Sequence, residues 1–122
     1  MQDLPDINRQ LSSKTLLDAF KMQLIKDFEQ SNYPTSFIDE LEPDYNKMLA
    51  SIAFELQRNE TKSDSGIMQL LYRIDISEAQ LKKALHTHIG VSYNNVLAEL
   101  IIKRILQKVV IKQYYKNTNG PH

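Results

Sequence analysis

The apolar side chains Leu97, Leu100, Ile101, Ile102, Ile105, Leu106, Val109 and Val110 are interleaved with polar ones that recur every four residues. Glu99, Lys103 and Gln107 make one line, and Arg104, Lys108 and Lys112 the next. Only a helix repeats in this way, because about 3.6 residues per turn bring every fourth side chain back to one face. Val109-Val110-Ile111 is β-branched and suits a strand when read alone, but the charge spacing around it overrides that local preference. The segment therefore reads as a helix over 93–115, capped by Ser92. Its apolar surface is wider than a single stripe requires. Such a helix either runs through the centre of a domain with neighbours on two sides, which is the simpler arrangement, or pairs its spare face with another copy. Ile101, Ile105, Tyr114 and Tyr115 are the candidate interface residues for that second arrangement.

The rest of the chain follows the same period. Leu17, Phe20, Leu24 and Phe28 predict a helix over 14–31 that starts after Ser12-Ser13 and stops at Asn32-Tyr33-Pro34. Ser36 is placed to cap a short helical turn near 37–41, and Pro43 fits the first position of a helix over 43–58 carried by Tyr45, Met48, Leu49, Ile52, Ala53 and Leu56. The polar run from Asn59 to Gly66 reads as the main loop. Ile67, Leu70, Leu71 and Ile74 then mark a helix over 66–74. Ser77 and Gln80 form a capping box for one over 78–88, ended by Gly90. The expected product is all-α, a compact bundle of about five helices. Residues 12–116 form its single domain, 1–11 a flexible arm and 117–122 a flexible tail.

Composition narrows the chemistry. The 122 residues contain no cysteine, which excludes a disulfide framework, a thiolate nucleophile and a sulfur-ligated zinc site. Three glycines leave no phosphate-cradling loop. The first ten residues lack the basic start and apolar run of a signal peptide, and no stretch approaches the roughly 20 apolar residues of a membrane span, so the expected location is cytoplasmic. On that expectation the Asn59-Glu60-Thr61 glycosylation acceptor has no meaning.

Fifteen basic and fifteen acidic side chains cancel, but they are segregated. Residues 1–65 hold seven basic and twelve acidic groups and residues 66–122 eight and three, a balance of −5 against +5. The halves either face each other, associate between protomers, or present the basic half to an anionic partner; evenly solvated charges would do none of these.

Candidate catalytic arrangements are sparse. His86 and His88 are two residues apart, so on a helix their rings diverge and cannot share a metal as an i, i+4 pair does. Gly90-Val91-Ser92-Tyr93-Asn94 has half of a nucleophile elbow, without its second glycine or preceding strand. Asp39, Glu40, Glu42 and Asp44 form an acidic cluster without the alternation and glycine of a calcium loop, and they suit the positive end of the following helix. No catalytic residue, cofactor, metal or small-molecule substrate is expected, and the chain does not read as an enzyme.

One spacing carries a mechanism. Ile67, Leu70, Ile74, Ile76, Leu81 and Ala84, with a turn at Asp75-Ile76, fall where a helix-turn-helix buries its contacts. The longer run through Leu85, Gly90, Ser92-Tyr93, Leu97, Leu100 and Arg104 resembles one DNA-binding subdomain of AraC-type transcription regulators, over about a third of the chain. That resemblance implies major-groove contacts from Gln80, Lys83 and Thr87, with Lys82 and His86 nearby. The stretch from Leu71 to Lys108 also resembles a family of small, uncharacterised all-helical bacterial proteins, which implies the fold and no activity. Two functions are thus expected in order. The first is a non-enzymatic protein–protein interaction or regulatory module, engaging a protein partner or a second copy. The second is a DNA-binding regulator using the helix-turn-helix at 67–88. A membrane role is disfavoured, since the terminal helix has no aromatic anchors beyond two tyrosines.

Overall fold

A helix stops where the chain supplies a left-handed residue and partners for its last carbonyls, and this molecule does so twice without glycine. The computed structural model describes residues 4–60 and 64–118. Its elements are α1 (Leu4–Leu11), α2 (Lys14–Gln30), a 3₁₀ turn (Ile38–Glu40), α3 (Tyr45–Arg58), α4 (Asp64–Ile74), α5 (Glu78–Thr87) and α6 (Tyr93–Thr118), with no strand among the described residues. At the end of α2, Asn32 takes φ 64°. Its N–H donates to the Glu29 carbonyl and that of Tyr33 to the Phe28 carbonyl, while the Tyr33 and Phe28 rings lie 5.7 Å apart. That is a Schellman ending with its apolar clasp. Asp75, at φ 71°, ends α4 identically, with the Ile76 N–H on the Leu71 carbonyl.

The starts are capped by side chains. Ser13 accepts from the Leu16 N–H, and Ser77 and Gln80 form the anticipated capping box. Ser92 accepts from the Asn95 N–H at 3.2 Å. Ser36 does not cap the short turn as expected, and at α3 Asp44 rather than Pro43 sets the start, its carboxylate accepting from the Lys47 N–H. Pro43 lies just outside the helix, and the 3₁₀ turn has no side-chain cap.

Three further expectations give way. Residues 4–11, read as an arm, form α1, because Ile7 and Leu11 share one face and both are fully buried. The loop helix α4 begins at Asp64 rather than Gly66, and α6 continues to Thr118, past the expected start of a tail; the remainder of that tail lies outside the described residues.

The six α-helices form a compact bundle around α6. α2 and α3 flank it, α4 and α5 lie against it further round, and α1 closes on α2 and α3. The core joins Phe20, Leu24 and Phe28 of α2 and Met48 and Ile52 of α3 to Ile101, Ile102, Ile105 and Leu106 of α6. Central packing is therefore the arrangement adopted by the long helix. Its β-branched stretch at 109–111 stays helical, since Val109 must reach this core.

Candidate functional site

The residues drawn together by sequence reasoning fall on three surfaces with different electrostatics. On α5, the buried side is Leu81 with Ala84, Leu85 and His88 partly covered, so the opposite side carries Lys82, Lys83, His86 and Thr87 in solvent. The ammonium groups of Lys82 and Lys83 and the His86 ring have no hydrogen-bond or ion-pair partner among the described residues. Gln80 and Thr87 differ. The Gln80 side chain accepts from the Ser77 N–H at 2.8 Å, and the Thr87 hydroxyl donates to the Lys83 carbonyl at 2.9 Å. Both are engaged on their own helix. α4 and α5 each rest on α6, and among the described residues neither backbone closely approaches the other.

The turn from α5 to α6 is the second surface. His88 closes α5 by donating to the Ala84 carbonyl and accepts from the Val91 N–H at 3.1 Å, with Gly90 between them at φ 90°. A side chain at that backbone angle would be strained, so glycine is required by conformation, not by crowding. The turn holds Ile89 outward at 86% exposure, with Val91 and Tyr93 each at 46%. His88 Nε2 also lies 3.8 Å from Glu99, whose carboxylate takes the Lys103 ammonium at 2.6 Å within α6.

The third surface is α6 itself. Three of the four cations of its polar lines are matched, Lys103 by Glu99, Arg104 by Asp75 at 2.8 Å and Lys108 by the buried Asp27 at 3.8 Å, while Lys112 is exposed and has no ion pair among the described residues. Of these pairs only Lys108–Asp27 joins the two halves, since Glu99 and Asp75 belong to the basic half themselves; the excess of that half is left largely in place. Ile101 and Ile105, read as interface candidates, are fully buried and face the core, because they lie on the side of the helix that α2 and α3 cover. Tyr114 and Tyr115 remain outside at 64% and 59%, ring against ring edge-on at 5.9 Å.

Elsewhere the acidic cluster is put to structural use. Asp44 caps α3, Glu42 holds Lys47 at 2.6 Å, and the Asp39 carbonyl accepts from Lys21. Among the described residues no three His, Asp or Glu side chains converge to hold a metal, and no helix is long and apolar enough to cross a membrane. The Tyr45 phenol is pushed up to about 12, first by burial and then by the charge of Glu99, and Tyr33 is raised by burial and by Tyr93.

Sequence reasoning missed Ile89, Val91 and Tyr93. The available signal was three large apolar residues around a helix-ending glycine, where no periodic face can absorb them. No protein-family model matches the chain, and no curated protein or solved structure matches it either.

Proposed function

We infer that the chain is a non-enzymatic protein–protein interaction module that docks through the corner between α5 and α6. The observation that carries this reading is the exposure of Ile89, Val91 and Tyr93 on a turn whose backbone is already fixed. Covering a large aliphatic side chain is worth about 1.5–3 kcal/mol, and a rigid turn loses little entropy when a partner covers it. Lys82, Lys83 and His86, three to seven residues before Ile89 on the exposed side of α5, have no hydrogen-bond or ion-pair partner among the described residues. An apolar centre with a polar rim is the composition of a docking surface, and here it calls for an apolar socket edged by carboxylates.

The test is a photo-crosslinking amino acid at Ile89 in the full chain, with the same probe at exposed Gln57 of α3 as the comparison. A discrete adduct with a different protein, absent at position 57 and lost on Val91→Asp, is the expected result. No adduct at 89, or equal labelling at both positions, overturns the reading.

A second reading keeps the DNA-binding regulator, on the observation that Lys82, Lys83 and Thr87 share the exposed side of the second helix of the 67–88 pair. It requires salt-sensitive binding to duplex DNA that weakens on Lys82→Ala and Lys83→Ala. Of the α6 cations, Lys103, Arg104 and Lys108 add little to it, since their carboxylate partners would have to be displaced first.

A further inference from the structure

The long helix is central for only part of its length. On the side opposite the core, Leu100, Gln107, Ile111 and Tyr114 fall on one line, with Lys103 and Arg104 beside it. Over the first part of that line Ile76 and Gln80 supply the facing wall, leaving a trough of about 530 Å³ along α6. The trough runs on past Gln107, whose side chain accepts from Arg104 at 3.1 Å, to Ile111, which stands 45% exposed, and beyond it Tyr114 is 64% exposed.

Two features of this face say what suits it. The first is charge. Lys103 and Arg104 already hold Glu99 and Asp75, so the face is electrically balanced, unlike the outer side of α5. A polyanion or an acidic segment gains little there, while two balanced faces meet without repulsion. The second is spacing. Leu100 and Tyr114 are each seven residues from Gln107, and Lys103 and Ile111 are each four. Steps of three and four along a helix make the seam on which two helices pair.

We propose that this face of α6 is covered by the same face of a second copy, the two helices running antiparallel about a two-fold axis at Gln107. In this contact Tyr114 of one protomer lies on Leu100 of the other, and Ile111 on the aliphatic stem of Lys103. The surface is separate from the α5–α6 corner, so either assignment stands or falls without the other.

The chain has no native cysteine, which makes the geometry directly testable. Sedimentation equilibrium at about 100 µM protein, a concentration that populates dimers of micromolar affinity, gives twice the chain mass for wild type and a single-chain mass for Ile111→Glu. Circular dichroism checks that this exposed substitution leaves the helices intact. Gln107→Cys forms an intermolecular disulfide under mild oxidation, and Gln57→Cys does not. A single-chain mass for wild type overturns the proposal, as does a dimer indifferent to Ile111→Glu. A dimer whose Cys-bearing position 107 fails to cross-link overturns the axis.

Discussion

The side-chain oxygen of Asn8 accepts a hydrogen bond from the backbone N–H of Tyr45 at 2.9 Å, across 37 residues of chain. Tyr45 is the first residue of α3, and its N–H has no acceptor within that helix. Two residues further on, Asp44 satisfies the Lys47 N–H, so the start of α3 is capped from two directions. Asn8→Ala should cost about 1 kcal/mol, the usual loss for a helix cap. Chemical denaturation checks it, and Arg9→Ala, in an exposed pair with Asp6, should change stability by only a few tenths of a kcal/mol.

The left-handed residue at Asn32 sets a second expectation. Asn32→Ala should destabilise by about 1–2 kcal/mol, because Cβ then crowds the carbonyl without the local hydrogen bonding that lets asparagine tolerate this region. Asn32→Gly should be neutral or better. Thermal unfolding of the two variants separates backbone conformation from loss of the side chain.

Asp27 is buried, with Gln23 at 3.2 Å and Lys108 at 3.8 Å as its polar neighbours. Lys108→Met leaves that carboxylate without its cation and should cost more than Asp27→Asn, by about 1–3 kcal/mol. Pairing Asp27→Asn with Lys108→Met should recover much of the loss. Additive losses in this double-mutant cycle would show that the two groups do not interact.

Tyr45 ties stability to alkaline pH. Its folded pKa is raised from 10.0 to about 12, so the folded state keeps a proton that the unfolded chain releases. The contribution is intact below pH 10 and is lost as pH climbs toward about 12. Denaturant midpoints on either side of that window should fall for wild type and fall less for Tyr45→Phe. Tyr33 shifts in the same direction and retains part of the slope.

The elements legible in the sequence are those whose signals are local. The four-residue charge spacing of α6, the Ser77–Gln80 box and the Phe20, Leu24, Phe28 stripe each need only neighbouring positions to be read. α1 was not legible, because Ile7 and Leu11 form too short a pattern to mark a helix until α2 and α3 cover them. Likewise Ile101 and Ile105 cannot be told from Ile111 by hydrophobicity. What divides them is which side of α6 meets α2 and α3, a tertiary fact. Gln80 and Thr87 carry groups suited to base edges, but their sequence neighbours at Ser77 and Lys83 engage those groups first.

The helix on which the others close follows all of them among the described residues. During synthesis, at about 5–20 residues per second, α2 and α3 leave the ribosome well before Ile101, Ile102 and Ile105 exist to cover Phe20 and Met48. The earlier helices bury their core faces on α6, so the core stays incomplete until α6 is made, like an arch awaiting its keystone. A frameshift or proteolytic cut within α6 would therefore not leave a smaller working bundle; it would leave the earlier helices with their apolar sides bare, a substrate for chaperones and proteases.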